Sequence, residues 1–172
     1  METEAIEVGV VMQRLPLNNR WQPYQWRPFE IVSQDVLPGG GARCLRDDPE
    51  DTRWVFGNFE IRLFADEAEG YFLNINGDYP CWFIMWRSEQ IDGVEVAMPK
   101  SITLSYNEAA RLMDGGEQVD NLPLPIEMIE RIAAFTSENY HPEPKRKRKK
   151  PSFEGGAGVD KMAKAEGKLN GS

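Results

Sequence analysis

The residue types that most often carry out catalysis are scarce in this sequence. The single histidine, His141, stands beside Pro142, where a surface position without a catalytic role is the expectation. The two cysteines, Cys44 and Cys81, lie far apart and belong to no Cys-x-x-Cys pair. One histidine and two distant cysteines do not provide the ligand set of a zinc site. The sequence therefore predicts no metal-binding residues.

Sequence motifs of nucleotide-binding and hydrolytic enzymes are also missing. The three glycines at residues 39–41 are not followed by the Lys-Ser/Thr of a phosphate-binding loop, and no Gly-x-Ser-x-Gly segment occurs. The carboxylates of Asp66, Glu67 and Glu69 stand in a turn-like stretch, where we expect them to be solvated. We therefore predict that the protein is not an enzyme and has neither catalytic nor cofactor-binding residues.

Aromatic and arginine side chains are concentrated in residues 19–27. Their neighbours are polar residues or proline, so these rings are as well placed to face a partner as to fill a core. Exposed tryptophan, tyrosine and arginine are enriched at protein interfaces. Two more such residues lie on a predicted helix that follows residue 105. The candidate partner-binding residues are Arg20, Trp21, Tyr24, Trp26, Arg27, Tyr106 and Arg111.

Charge is divided unevenly along the chain. Its 20 basic and 28 acidic residues give a net charge of −8. Nine basic and three acidic residues lie from residue 145 onward, so this segment is about +6 and residues 1–144 are about −14. A like-charge block flanked by proline and glycine cannot form a core, so we predict a disordered tail over residues 145–172. Its electrostatic residues are Lys145, Arg146, Lys147, Arg148, Lys149 and Lys150.

The elements that must position the candidate residues are mainly strands. Alternating apolar residues, aromatic and β-branched runs and intervening turn residues predict consecutive antiparallel strands. We expect a loop over residues 35–51 and a turn over residues 66–70. The run from Cys81 to Arg87 is nearly all apolar and is expected to be buried on both faces, with Trp82, Phe83 and Trp54 in the core. The predicted strand segments are 6–13, 24–33, 54–64, 71–76, 81–87 and 94–104.

Two helices are predicted after the strands. Ser105 and Glu108 have the spacing of a capping box, in which the serine caps an early amide and the glutamate reaches back. A second helix begins near Pro125 and has one broad apolar face. The predicted class is α+β: mainly an antiparallel β meander, curled or barrel-like, with two C-terminal helices. Residues 1–144 form a single domain, followed by the disordered basic tail.

Other features bear on where the protein works. No apolar run is long enough to span a membrane, and Met1–Ala5 lacks the segments of a signal peptide, so we predict a cytoplasmic location. Cys81 opens an apolar run and is expected to pack as a small hydrophobic residue. A reducing compartment disfavours a disulfide. The pattern leaves open the reactivity of Cys44 and the oligomeric state.

Seven stretches form a recognisable combination over most of residues 8–153. They are Val11–Arg14, Asn19–Trp26, Asp66–Asn74, Trp82–Arg87, Thr103–Arg111, Met113–Glu117 and Pro142–Lys145. Together they resemble a proteobacterial family of unknown function, whose genes commonly lie beside those of molybdenum- or tungsten-dependent formate dehydrogenase. The resemblance implies an accessory role in the assembly, maturation or regulation of that enzyme, and it implies no activity.

The sequence leaves three functions to compare. The leading hypothesis is a non-catalytic accessory protein that binds a formate dehydrogenase component or maturation factor. The first alternative is a β domain that binds a small ligand in a tryptophan-lined opening of its curled sheet. The second is a nucleic-acid binder that uses the tail, but the acidic domain repels nucleic acid and no aromatic residue interrupts the basic run. A protein partner is therefore the expectation.

Overall fold

A computed structural model of the protein describes residues 5–34 and 41–142. These ranges contain seven strands and three α-helices, and a short 3₁₀ turn (Ala65–Glu67) leads into the first helix. The strands and helices in chain order are β1 (Ile6–Pro16), β2 (Tyr24–Ser33), β3 (Ala42–Asp48), β4 (Asp51–Ile61), α1 (Ala68–Ile75), β5 (Cys81–Ile91), β6 (Val94–Thr103), α2 (Tyr106–Asp114), β7 (Gln118–Pro123) and α3 (Ile126–Asn139).

The described strands form two antiparallel sheets. The first has the order β2-β1-β4-β3 and the second the order β6-β5-β7. β1 is an inner strand of the first sheet, where Val10 stands opposite Ile31 of β2 and Phe56 of β4. β5 is the middle strand of the second sheet, between β6 and β7. The predicted class, mainly antiparallel sheet with helices towards the C-terminus, is confirmed.

Both sheets contribute to one shared core. Val10 and Met12 of β1, Ile84 of β5 and Val96 of β6 are completely buried in it, and Ile132 of α3 joins them. Each fully buried aliphatic side chain stabilises the fold by about 1.5–3 kcal/mol relative to an exposed position. The predicted apolar face of α3 is confirmed in part: Ile132 and Phe135 are buried in this core and Met128 and Ile129 pack against it, whereas Ile126 is exposed.

The start of β5 is buried on both faces, as its continuous apolar run predicts. Trp82 and Ile84 point into the shared core. Cys81 and Phe83, which alternate with them, join Ala109 of α2 in a separate buried cluster. β5 therefore lies between the core on one side and α2 on the other.

The prediction of a turn followed by a strand over residues 66–76 is wrong, because this segment forms α1. Ala68, Tyr71 and Asn74 are buried at a helical spacing of three residues, whereas Leu73 is exposed. A short apolar run fits the helical and the strand period equally well. Contacts of α1 with α2 and α3 explain why the helix is the conformation that forms.

The sequence pattern also does not predict β3 and β7. β3 lies within the predicted loop at residues 35–51 and pairs with β4 at the edge of the first sheet. Nearly all its side chains are exposed, so it has no buried face to produce an alternating pattern. β7 is short and pairs with β5. Both segments are strands because their backbones pair with a neighbouring strand, and neither shows a pattern of alternating hydrophobic residues.

The cap of α2 is confirmed in part. The Ser105 hydroxyl accepts the amide hydrogen of Glu108 at 3.1 Å, as a serine N-cap does. The Ser105 amide donates to Thr103 Oγ1 at 3.0 Å, so the Glu108 side chain does not make the predicted return bond. The Thr103 hydroxyl therefore accepts the Ser105 amide hydrogen, which the capping box assigns to the Glu108 side chain.

Among the described residues, no helix is long and apolar enough to cross a membrane. His141 is exposed, in agreement with its predicted surface position. The predicted basic tail over residues 145–172 lies outside the described residues, and so do its six consecutive cations.

Candidate functional site

The aromatic stretch of residues 19–27 forms the β1–β2 connection and the beginning of β2. The Leu17 amide donates to the Pro23 carbonyl at 2.8 Å, which closes the connection. The Trp21 amide donates to Asn19 Oδ1 at 2.8 Å, an arrangement that fixes a local turn. The Trp21 side chain remains 82% exposed. The turn therefore presents a large apolar ring to solvent.

Arginine side chains stack on two of these rings. The Arg14 guanidinium carbon lies 4.1 Å from the centroid of the Tyr24 ring, and that of Arg20 lies 4.9 Å from the Trp21 ring. Such contacts hold a ring in place at an exposed position. Trp26 is partly buried and packs against the shared core. The aromatic residues thus range from a core contact at Trp26 to nearly full exposure at Trp21.

An open cleft of about 500 Å³ lies beside this stretch. Residues of β5, β6 and β7 form its other wall, so the cleft lies between the first sheet and the second. We call it the aromatic cleft. Its lining residues are Trp21, Gln22, Pro23, Tyr24, Gln25, Trp26, Arg27, Trp86, Ser88, Glu95, Gln118 and Asp120.

Asp120 is held in position at the wall of the aromatic cleft. Its Oδ2 accepts hydrogen bonds from Trp86 Nε1 at 2.6 Å and from Gln118 Nε2 at 3.2 Å. Within residues 5–34 and 41–142, no hydrogen bond reaches Oδ1 of Asp120 or the carboxylate of Glu95. The cleft therefore combines aromatic faces with two acceptor carboxylates, a combination that suits a cationic or donor-rich group.

Sequence reasoning identified only one wall of this cleft. Trp86, Glu95, Gln118 and Asp120 lie on three strands far from residues 19–27 in the chain. No local pattern marks them, because strand pairing and sheet packing alone bring them together. Trp86 carried a weak signal, since it ends the apolar run of β5 at the point where the strand becomes exposed.

Arg20 stacks on Trp21 but does not itself line the aromatic cleft. Tyr106 and Arg111 lie on α2, away from the residues that line it. Arg111 Nη2 donates to Glu67 Oε1 at 2.7 Å. The Tyr106 ring meets the Phe83 ring edge-on at a centroid distance of 6.4 Å and is about half exposed. The structure thus divides the candidate partner-binding residues between two places.

Glu67 links α1 to α2. Its Oε2 accepts the hydroxyl hydrogen of Ser105 at 2.7 Å, while Oε1 accepts from Arg111. Asn107 Nδ2 donates to Glu69 Oε1 at 3.1 Å. The expectation that the turn carboxylates are solvated is therefore wrong for Glu67, which is partly buried, whereas Glu69 is exposed. Ser105 is completely buried, and its hydroxyl both donates a hydrogen bond to Glu67 and accepts one from the Glu108 amide. The role of this cluster is therefore to join the two helices.

Asn74 extends this link into the second sheet. Its Nδ2 donates to the Cys81 and Leu104 carbonyls at 2.8 and 2.9 Å, and its Oδ1 accepts the Cys81 amide hydrogen at 3.0 Å. The side chain is buried. It therefore fixes the start of β5 and the chain just after β6, and β5 in turn carries Trp86 to the aromatic cleft.

The two cysteines have opposite environments, and both thiols are free. Burial raises the pKa of the Cys81 thiol to about 11, although a hydrogen bond with Asn121 opposes the shift. Cys44 is exposed on β3, and its Sγ donates to the Arg46 carbonyl at 3.6 Å. The prediction that Cys81 packs as a small hydrophobic residue is confirmed.

We expect a thiol reagent such as iodoacetamide to modify only Cys44 in the folded protein at neutral pH. Cys81 is buried and, with its raised pKa, has almost no thiolate near neutrality. Mass spectrometry of intact protein should show one adduct without denaturant and two in guanidinium chloride. Rapid modification of Cys81 in the native protein would contradict this arrangement.

Within residues 5–34 and 41–142, no group of three or more His, Cys, Asp or Glu side chains is placed to hold a metal ion. The family model described as "Protein of unknown function (DUF3305)" matches residues 7–149, and the chain therefore belongs to this family. No match was found among curated proteins or among solved structures.

Proposed function

We propose that this DUF3305 protein is a non-catalytic accessory protein that binds a protein partner through the aromatic cleft. Trp21 carries the proposal, because its ring is 82% exposed, sits under Arg20 and lines a cleft of about 500 Å³. Tryptophan, tyrosine and arginine are the residues that most often dominate binding energy at interfaces. Tyr24, Trp26 and Arg27 line the same cleft.

The partner that we propose is a component or maturation factor of a molybdenum- or tungsten-dependent formate dehydrogenase. The support is the resemblance described above, whose family has genes beside those of this enzyme. A binding role in assembly, maturation or regulation agrees with a cleft made of aromatic and hydrogen-bonding side chains. The gene setting of the resembled family and the chemistry of the aromatic cleft together support this partner.

Removing the Trp21 side chain should weaken capture of this partner. We expect the full chain, tagged and expressed in a formate-grown host, to enrich a formate dehydrogenase subunit or maturation factor. Trp21→Ala should lower that affinity about 30-fold, since truncation of a central interface tryptophan costs about 2 kcal/mol or more. Quantitative mass spectrometry of the captured proteins measures the difference.

Tyr79→Ala is the matched control, because Tyr79 is also an exposed aromatic residue but does not line the aromatic cleft. It should capture the partner as the wild type does. Thermal melting should show that both variants are folded. A deletion strain with normal formate dehydrogenase activity, together with no enrichment of any component of that system, would rule the proposed function out.

A small-molecule ligand is the second candidate function. The volume of the aromatic cleft lies within the range of about 300–1,000 Å³ that ligand sites occupy. Native mass spectrometry of the wild type and of Trp21→Ala, each purified from its host, separates the two functions. A retained small mass that depends on Trp21, without capture of a protein, would favour the ligand.

A further inference from the structure

The aromatic cleft has two walls of different chemistry. The first wall is the chain from Trp21 to Arg27, where three aromatic rings lie among amide side chains and a proline. The second wall holds Trp86 together with the carboxylates of Glu95 and Asp120. The ligand that matches both walls offers apolar ring faces to the first and a basic group to the second.

The rings of the cleft are held in place before any partner binds. Arginine side chains stack on the rings of Trp21 and Tyr24, with guanidinium carbons 4.9 and 4.1 Å from the ring centroids. The indole of Trp86 is held by its hydrogen bond of 2.6 Å to Asp120. A preorganised site loses little conformational entropy on binding, and the advantage is greatest for a ligand that is also rigid.

The stacked arginines also decide which groups fit the first wall. A guanidinium group already lies over each of two rings, that of Arg14 over Tyr24 and that of Arg20 over Trp21. Arg27 lines the same wall. A cationic side chain would be repelled there, whereas an uncharged proline ring can pack on the remaining aromatic surface.

Unused hydrogen-bonding side chains stand beside the rings. Gln22 and Gln25 of the first wall and Ser88 of the second are exposed, and they make no hydrogen bond within residues 5–34 and 41–142. A segment in the polyproline II conformation has no internal hydrogen bonds, so its carbonyl groups need donors from outside. The amide and hydroxyl groups of the cleft can provide those donors.

We propose that the aromatic cleft binds a proline-rich segment of the partner in the polyproline II conformation. Its proline rings pack on Trp21 and Tyr24, and its carbonyl groups accept hydrogen bonds from the glutamine amides. A basic residue beside the prolines pairs with Glu95 and with Oδ1 of Asp120. The inference rests on the proposed function and specifies the chemistry of the partner segment.

Nuclear magnetic resonance of the tryptophan indole N–H groups tests this binding directly. The probes are two peptides of eight prolines, one with an arginine before the prolines and one with it after them, so that both directions of the segment are covered. At least one of them should move the indole signals of Trp21, Trp26 and Trp86 in the isotope-labelled full chain. Trp54 and Trp82 do not line the cleft and are internal controls, whose signals should stay in place.

Two altered peptides test the conformation and the charge of the segment. The mirror-image peptide, made of D-residues, has the same composition and apolar surface but forms a helix of the opposite hand. It should bind at least tenfold more weakly than the peptide of L-residues. Citrulline, the neutral isostere of arginine, should weaken binding about threefold, because an exposed ion pair contributes modestly.

Variants of the full chain locate the bound segment. Trp21→Ala should weaken binding of the peptides about tenfold. Glu95→Gln should remove most of the preference for arginine over citrulline, because the pairing carboxylate is gone. Glu138→Gln changes an exposed carboxylate of α3 outside the cleft, so it is the matched control and should keep the preference.

Three results would overturn this inference: neither peptide of L-residues moves the three cleft signals, the mirror-image peptide binds equally well, or citrulline binds as arginine does. Its failure can be told apart from failure of the proposed function. Trp21-dependent capture of a formate dehydrogenase component by a chain that binds neither peptide would remove the inference alone. Binding of the peptides without capture of that system would remove the proposed partner alone.

Discussion

Replacing Asn74 by alanine should lower the free energy of unfolding by about 4 kcal/mol. The side chain makes three hydrogen bonds of 2.8–3.0 Å to the backbone of Cys81 and Leu104. Each buried backbone group that loses its partner costs about 1–3 kcal/mol. The loss is large against the total stability of about 5–15 kcal/mol of a typical domain.

Asn76→Ala is the matched control for Asn74→Ala. Asn76 stands at the end of the same helix, but its Nδ2 bond to the Phe72 carbonyl, at 2.9 Å, is exposed to solvent. We expect it to change the unfolding free energy by no more than about 0.5 kcal/mol. Urea denaturation followed by tryptophan fluorescence measures both variants. Equal stability of the two variants would show that Asn74 does not hold the start of β5.

The second large effect is expected at Gly70, where α1 meets the beginning of α2. A Cβ atom added at Gly70 would lie inside the contact distance of Ser105 Oγ, 3.0 Å from Ser105 Cβ and 3.3 Å from the Asn107 backbone nitrogen. Gly70→Ala should therefore lower the free energy of unfolding by about 3 kcal/mol. The clash outweighs the gain of about 1 kcal/mol that alanine brings to a helix interior.

A double-mutant cycle with Ser105→Ala isolates the clash at Gly70. Ser105→Ala alone loses the N-cap of α2 and the bond to Glu67, and we expect a cost of about 1–2 kcal/mol. In the double variant the hydroxyl is gone, so the combined loss should be smaller than the sum of the two single losses. Strict additivity would mean that the loss at Gly70 does not come from the Ser105 hydroxyl, and a stabilised Gly70→Ala would mean that the two helices separate at little cost.

The contacts of Asn74 and Gly70 also help to position the aromatic cleft, because they hold β5, which contributes residues to it. Asn74 and Gly70 join α1 to the beginning of β5 and to α2, and β5 carries Trp86 into the aromatic cleft. The stretches Asp66–Asn74 and Thr103–Arg111, which resemble the family pattern, meet at this junction. Their residues therefore have a structural role, and the binding proposal depends on Trp21 and the aromatic cleft.

The fold was predictable where one local signal decides the conformation. The capping serine at Ser105 and the apolar run from Cys81 predicted a helix start and a buried strand, and both are present. α1 was not predictable, because its apolar residues alternate over too short a run to separate the two periods. β3 pairs with the next strand, β4, but has no buried face that would produce an alternating pattern. β7 depends on pairing with the distant strand β5, which local sequence does not encode.

The candidate site was predictable in part for the same reason. Trp21, Tyr24 and Trp26 stand out as aromatic residues among polar neighbours and prolines; Trp21 and Tyr24 are exposed, whereas Trp26 packs against the core. Trp86 and Asp120 lie on other strands and reach the cleft only through the packing of the two sheets. Tyr106 and Arg111 have the composition of interface residues, but their contacts are with Phe83 and Glu67.

The most direct test of the binding proposal is the dissociation constant between the purified full chain and the formate dehydrogenase component that we expect it to capture. Calorimetry with the wild type, Trp21→Ala and Tyr79→Ala measures it. The proposal predicts that Trp21→Ala raises the constant about 30-fold while Tyr79→Ala leaves it unchanged. A constant that is the same for all three proteins would contradict binding through the aromatic cleft.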